Sequence, residues 1–149
     1  MSVNPELVGR EFPPTAPYLV GREKVREFAR AVLATDPQHT DPDAARALGY
    51  ADIVAPPTFA MVVQDLTLQQ LLAEPGSGIV LERTVHAEQR FRYTRPIVAG
   101  DELTGRLRVT GIRPFGKGAM VTSEAEITDA ADAHVVTATS VLLIGGEDQ

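Results

Sequence analysis

One segment of this sequence, from about residue 57 to residue 74, is apolar on nearly every side of the helix that it predicts. It follows Ala55-Pro56-Pro57 and stops before Pro75-Gly76, a pair that does not continue a helix. Its large apolar side chains are Phe59, Met61, Val62, Val63, Leu66, Leu68, Leu71 and Leu72. A helix of this composition has to be enclosed by other elements. The rest of the chain must therefore supply a layer that covers it.

Four segments after this helix have the patterns of β-strands. Three of them, at about residues 85–93, 103–109 and 119–127, alternate apolar and polar residues, as half-buried antiparallel strands do. The fourth, Val135 to Ile144, is apolar on both faces, which predicts a strand inside the sheet or at an interface. Short turns rich in Gly, Pro and Asp separate them. The pattern predicts a run of antiparallel strands.

The segments before the long helix predict a short strand and two further helices. Tyr18 to Val20 is the strand, and Arg22 to Leu33 has apolar residues at helical spacing. Asp41-Pro42 supplies an N-cap and a first helical residue for a short helix that Gly49 ends. Helices followed by strands indicate the α+β class, with one antiparallel sheet curled around a buried helix. We expect a single domain over residues 1–149, and a dimer that covers the sheet edge.

Composition excludes several classes of function. The chain of 149 residues has no cysteine, so disulfides, thiolate nucleophiles and cysteine-bound metals are excluded. Its net charge of -6 argues against nucleic-acid binding. Met1 to Glu6 show no basic leader, and no apolar stretch approaches the roughly 20 residues that cross a bilayer. We expect a cytoplasmic protein that binds no membrane, no metal and no cofactor.

Several motifs in order carry a resemblance to a known family. A loop with His39 precedes the short helix, and Ile53-Val54-Ala55-Pro56 precedes the long one. Later comes Phe91-Arg92-Tyr93-Thr94-Arg95-Pro96-Ile97-Val98-Ala99-Gly100-Asp101-Glu102-Leu103. Together these resemble the MaoC-like (R)-specific hydratases and dehydratases, which are hot-dog proteins. The run from Val20 to Ala29 is similar to the branch that contains the A subunit of the mycobacterial (3R)-hydroxyacyl-ACP dehydratase.

The resemblance implies catalytic candidates in the loop before the short helix. The family's active loop reads roughly Gly-Asp-x-Asn-Pro-x-His, and its aspartate and histidine act on the substrate's C2 proton and C3 hydroxyl. His39 and Pro37 match that pattern, Asp36 stands at the asparagine, and Ala34 stands at the catalytic aspartate. His39 is therefore a candidate acid or base, and a solvated loop histidine is the alternative. Asp36 either replaces the missing aspartate or only forms an Asp-Pro turn.

The resemblance also implies candidates for substrate binding. The family usually has glycine where this chain has Pro57, and proline has no N–H to donate to an oxyanion. Losing such a donor costs on the order of 3 kcal/mol. The neighbouring Thr58 is a candidate replacement, and Phe59 is either an acyl contact or plain core. Arg90 and Arg92 lie on a polar strand face, where they either meet the phosphates of coenzyme A or phosphopantetheine or are simply solvated.

The function implied by the resemblance is that of a subunit of a (3R)-hydroxyacyl thioester dehydratase or enoyl hydratase of fatty-acid metabolism, acting on an acyl-CoA or acyl-ACP. One version is a homodimer that uses His39 with Asp36 or water. The other is the acyl-chain-binding partner of a separate catalytic hot-dog subunit, and the changes at Ala34 and Pro57 favour this heterodimer. A non-enzymatic acyl-thioester-binding module is an alternative. An acyl-CoA thioesterase is less favoured, because Asp52, which precedes the long helix, is the one acidic residue near its start that could activate water.

Overall fold

The computed structural model describes residues 3–146. The predicted domain covers residues 1–149, so its two ends lie outside the described residues. The prediction that no basic leader is present at Met1 also concerns positions outside this range. Every helix in this range is too short or too polar to span a lipid bilayer.

Within residues 3–146, three α-helices occur where the sequence predicts them. They are α1 (Arg22–Ala31), α2 (Pro42–Ala47) and α3 (Ala60–Leu72). A 3-10 turn, Pro57–Phe59, leads directly into α3. Helix α1 ends two residues before the predicted position because Leu33 adopts a left-handed conformation with φ of 58°. The predicted N-cap of α2 is present, since the Asp41 carboxylate accepts the Asp43 N–H at 3.0 Å.

In the described part of the chain, five strands form one antiparallel sheet. They are β1 (Tyr18–Leu19), β2 (Thr84–Tyr93), β3 (Glu102–Phe115), β4 (Gly118–Thr128) and β5 (His134–Ile144). Their order across the sheet is β1-β3-β4-β5-β2. Strand β5 therefore lies inside the sheet, as its apolar pattern predicts. The long strand β2 forms one edge and pairs only with β5 among the described strands.

Helix α3 packs against the inner face of the sheet. Val63 and Leu71 are fully buried there with Leu103 and Leu107 of β3. The approach is closest at Gly105, where an added Cβ would lie 2.7 Å from Thr67 Cγ2. The helix can seat this deeply on β3 because position 105 has no side chain.

A polar network crosses the interface between α3 and the sheet. Gln64 is fully buried and donates to the Ala138 carbonyl at 3.4 Å. Its Oε1 accepts the Gln89 amide at 2.7 Å. Ser123 and Ser140 share a hydrogen bond of 3.1 Å on neighbouring strands. These bonds satisfy polar groups that burial would otherwise leave unpaired.

Candidate active site

A largely apolar cleft of about 510 Å³ lies where three segments of the chain meet. The segments are the loop before α2, the stretch before α3, and the end of β2 with the loop that follows it. The lining residues are Asp36, Gln38, His39, Val54, Ala55, Pro57, Tyr93, Thr94, Arg95, Pro96 and Ile97. Its size and apolar walls suit an extended organic ligand.

The His39 ring has a defined orientation in this cleft. It ends the 3-10 turn Pro37–His39 and is only 9% exposed. Its Nδ1 lies 2.6 Å from the Val54 carbonyl oxygen. A carbonyl only accepts, so Nδ1 carries the proton and the neutral ring keeps its lone pair on Nε2. Within residues 3–146 no group hydrogen-bonds to Nε2, which is therefore available as an acceptor.

Main-chain hydrogen bonds join the walls of the cleft around Val54. The Val54 N–H donates to the Gln38 carbonyl at 2.9 Å, so both backbone groups of Val54 contact the turn that carries His39. On the other side, Ala55 N–H donates to the Ile97 carbonyl at 2.8 Å, and Ala99 N–H to the Ile53 carbonyl at 3.0 Å. The position of the ring therefore depends on backbone pairing between three separate segments.

Of the catalytic candidates that the resemblance implies, both line this cleft. Asp36 lines it together with His39, and Asp36 is exposed. Its carboxylate does not cap the turn that follows. Ala34, at the family's aspartate position, is not among the lining residues, and its N–H closes the end of α1 on the Ala29 carbonyl at 2.8 Å. The structure thus brings together the two predicted catalytic candidates and leaves the aspartate position outside the lining.

The residues at the start of α3 divide into two groups. Pro57 lines the cleft, and its carbonyl accepts a hydrogen bond from the Tyr93 hydroxyl. Thr58 is exposed, and Phe59 is fully buried with its ring edge-on to Phe28 at 5.3 Å. Neither Thr58 nor Phe59 is among the lining residues. Their predicted contacts with substrate stay predictions.

Tyr93 is a cleft residue that the sequence analysis did not single out. Burial raises the pKa of its hydroxyl to about 12, and a hydrogen bond from the Ala60 backbone partly opposes the rise. The phenol is therefore neutral at physiological pH and acts as a hydrogen-bonding group. The available signal was the alternation of β2, which directs Phe91 and Tyr93 to the same face of the strand.

Arg90 and Arg92 lie on the opposite, outer face of β2. Arg90 is 3.1 Å from Glu88, and Arg92 donates to Thr137 Oγ1 at 3.4 Å. They border a shallow groove on the sheet with Glu124 and are outside the lining of the cleft. Their predicted contact with a phosphate stays a prediction, and it would involve a different surface from the one that holds His39.

Arg95 is the second cleft residue that the sequence analysis did not single out. Its guanidinium binds both oxygens of Asp101, at 2.9 and 3.1 Å, and one oxygen of Asp129 at 3.2 Å. The hydrogen bond with Asp101 raises the pKa of Arg95. The hydrogen bond from the Ala133 N–H is the largest cause that lowers the pKa of Asp129, and the hydrogen bond from Arg95 lowers it further. Two carboxylates thus neutralise the charge of Arg95.

Comparison with known proteins finds similarity over nearly the whole chain. Residues 6–138 match the family model described as "FAS1-like, dehydratase domain region". A protein of Clavibacter michiganensis subsp. michiganensis, named UPF0336 protein, is 62% identical over 148 residues, which cover 99% of each chain.

Two solved structures have the same fold. One is the C-terminally truncated HadBC (3R-hydroxyacyl-ACP dehydratase) complex of Mycobacterium tuberculosis, with 30% identity, a TM-score of 0.84 and coverage of 92% of this chain and 96% of that one. The other is a MaoC-like dehydratase with 37% identity and a TM-score of 0.84, covering 95% of this chain and 43% of that one. The predicted α+β hot-dog fold and the resemblance to MaoC-like dehydratases are confirmed.

Proposed function

Because the chain belongs to the family of FAS1-like dehydratase-region domains, we propose that it is a subunit of a (3R)-hydroxyacyl thioester dehydratase or enoyl hydratase. Its cleft binds the acyl part of an acyl-CoA or acyl-ACP. A second hot-dog subunit, with the complete Gly-Asp-x-Asn-Pro-x-His loop, pairs with it and supplies the missing acid/base group. The similar HadBC structure, which is a complex, supports this arrangement.

The observation that carries the proposal is the incomplete set of catalytic groups around an acyl-sized cleft. Dehydration removes a proton from C2 and returns one to the hydroxyl that leaves C3. It also builds negative charge on the thioester oxygen, which needs hydrogen-bond donors. His39 offers one acceptor nitrogen, Ala34 offers no carboxylate, and Pro57 offers no N–H. A cleft with these groups can hold a thioester, and it lacks the partner groups that both proton transfers need.

One observation favours a second version, in which the chain acts as a homodimer. Asp36 lines the same cleft as His39 and is exposed. In this version Asp36, directly or through water, takes the role of the family aspartate. The two versions differ in whether the chain alone has activity.

The test is hydration of trans-2-enoyl-CoA by the purified chain, with crotonyl-CoA and a longer substrate. The variants are His39→Ala and Asp36→Asn, and Asp65→Asn is the matched control because Asp65 is exposed on α3 outside the cleft. Under the heterodimer version, the chain alone is inactive and gains activity when it is co-purified with a hot-dog protein of its own genome that has the complete loop. Activity of the chain alone, lost by about 10²-fold or more in His39→Ala, would replace it with the homodimer version.

Two outcomes would reject both versions. Release of free thiol from acyl-CoA without hydration would identify a thioesterase. Binding of acyl-CoA without turnover, with every such partner protein, would identify a non-enzymatic acyl-thioester-binding module.

A further inference from the structure

Arg95 lies in the cleft wall, and its side chain is held so firmly that it is a structural cation. Its side chain is 35% exposed, and those of its partners Asp101 and Asp129 are 13% and 21% exposed. A guanidinium bound to two carboxylates has no net positive charge to offer a phosphate or an oxyanion. Arg95 therefore acts through the residues that it holds in place and not through its charge.

What Arg95 holds is the loop that follows β2. Its Nη1 donates to the Pro96 carbonyl at 3.0 Å and to Asp101 Oδ2 at 2.9 Å. The same Asp101 oxygen accepts the Val98 N–H at 2.9 Å. The Arg95–Asp101 pair thus closes residues 95–101 into a compact loop. Asp129, which also accepts the Ala131 and Ala133 N–H groups, ties this loop to the turn between β4 and β5.

This loop in turn sets the position of the carbonyl that orients His39. Val54 and Val98 form an antiparallel bridge, with hydrogen bonds on both sides of it. The Val54 carbonyl then accepts the Nδ1–H of His39 at 2.6 Å. A displacement of residues 96–99 would move Val54 and so disturb its hydrogen bond with His39. Among the described residues, this is the only hydrogen bond of the His39 ring, and it determines which ring nitrogen is protonated.

We propose that Arg95 is a positioning residue: through Asp101 and the Val54–Val98 bridge, it keeps His39 in the Nδ1–H form, with the lone pair on Nε2. The functional meaning of this inference rests on the proposed role of His39 in binding or catalysis. The protonated nitrogen itself can be determined without substrate, partner or turnover.

The experiment is ¹⁵N NMR of the histidine side chains at about pH 8, above the ordinary histidine pKa of about 6.5. The chemical shifts of the two ring nitrogens report which one carries the proton. His39 signals are assigned by their absence in His39→Ala. We expect the wild type to hold His39 as Nδ1–H only, and Arg95→Gln to show a mixture of both forms. Arg95→Lys gives an intermediate result, because lysine cannot bind a carboxylate through two parallel N–H bonds.

The matched control is Arg108→Gln, which removes an arginine that lies 4.0 Å from Glu124 across β3 and β4, away from the turn that contains Asp129. It should leave the His39 spectrum unchanged. Should Arg95→Gln fail to fold by far-ultraviolet circular dichroism, Asp101→Asn breaks the same pair with a smaller change. A folded Arg95→Gln or Asp101→Asn with His39 still entirely in the Nδ1–H form would overturn the inference.

The hydration assay separates this inference from the proposed function. A mixture of forms in Arg95→Gln supports the positioning role even when no hydration is found with any partner. Wild-type hydration together with unchanged forms in the variants overturns the positioning role and leaves the proposed function standing.

Discussion

Leu33 combines two properties that are rarely found together, a left-handed backbone and an exposed apolar side chain. Its φ is 58°, and the residue is 82% exposed at the end of α1. The turn is of the kind that usually ends in glycine, since the Ala34 N–H reaches back to the Ala29 carbonyl. Neither buried contacts nor backbone preference accounts for a leucine at this position.

We therefore predict that Leu33→Gly stabilises the protein. Relief of the left-handed strain outweighs the extra flexibility of glycine in the unfolded chain, so the free energy of unfolding should rise by roughly 0.5 to 1 kcal/mol. Urea denaturation measures it. The control is Leu48→Gly, because Leu48 is also exposed but has an ordinary φ of -90°. There glycine should lower the free energy of unfolding by a similar amount, and equal effects of the two changes would contradict the explanation.

Tyr93 gives a prediction about pH. Folding raises its pKa from the ordinary 10.0 to about 12, chiefly by burial. Its contribution to stability is therefore complete below pH 10 and is lost as the pH rises towards 12. In a spectrophotometric titration of phenolate, the difference between wild type and Tyr93→Phe should appear only near pH 12. A difference already complete near pH 10 would show that the hydroxyl is not buried against the start of α3.

At the scale of elements, the contact between α3 and β3 depends on a glycine. A methyl group at position 105 would lie 2.7 Å from Thr67 Cγ2, and Thr67 is fully buried. We predict that Gly105→Ala lowers the free energy of unfolding by about 1 to 3 kcal/mol, because the helix has to move away from the sheet.

A second substitution can test whether this contact is the cause. Thr67→Ser removes the Cγ2 atom and keeps the hydroxyl that donates to the Gln64 carbonyl at 2.6 Å. In a double-mutant cycle measured by urea denaturation, Thr67→Ser should recover a large part of the loss caused by Gly105→Ala. Additive losses would mean that the alanine is disfavoured for another reason, such as the backbone of β3.

The sequence predicts these elements well because their signals are local. Helix α3 is apolar on nearly every side, strands β2, β3 and β4 alternate apolar and polar residues, and β5 is apolar on both faces. Each of these patterns can be recognised from residues that are close together in the sequence. The Asp41 cap is equally local. The predicted end of α1 is two residues too late, because the helix ends in a left-handed turn at Leu33. Leucine rarely adopts this conformation, so the sequence does not indicate the turn.

The cleft could be predicted only in part, because it is assembled from distant segments. His39, Asp36 and Pro57 were identified through the resemblance, and all three line it. The bonds from Val54 to Gln38 and from Ala55 to Ile97 join backbone groups, which no side-chain pattern encodes. For the same reason the Arg95–Asp101 pair was not foreseen. The buried Gln64 escaped notice because its partners lie on two other elements.

At the scale of the whole molecule, the edge strand β2 gives the last prediction. It has ten residues, and among the described strands it pairs with β5 alone. Its second residue, Val85, is 62% exposed. Such an edge invites pairing with another chain. We expect light scattering to show a dimer, formed with a second copy or with the proposed hot-dog partner. Val85→Lys should raise the dissociation constant of this dimer by about tenfold or more, equivalent to about 1.4 kcal/mol.

The control for this prediction is Val8→Lys. Val8 is 47% exposed in the N-terminal segment, whose neighbour Gly9 donates to Val109 of β3, away from β2. It should leave the dimer unchanged. A dimer that is equally stable with Val85→Lys would place the interface elsewhere.

The bonding of Val54 has a consequence for how sequences of this kind can drift. Because its N–H and its carbonyl orient the His39 turn, position 54 contributes peptide geometry as well as a buried side chain that lines the cleft. In a scan of all substitutions we expect isoleucine to be accepted there, because it keeps a buried apolar side chain, and proline, which has no N–H, to be rejected. Position 54 would then admit only residues that are apolar, of similar size and able to donate a main-chain hydrogen bond, so variation among relatives at this position should be confined to such residues.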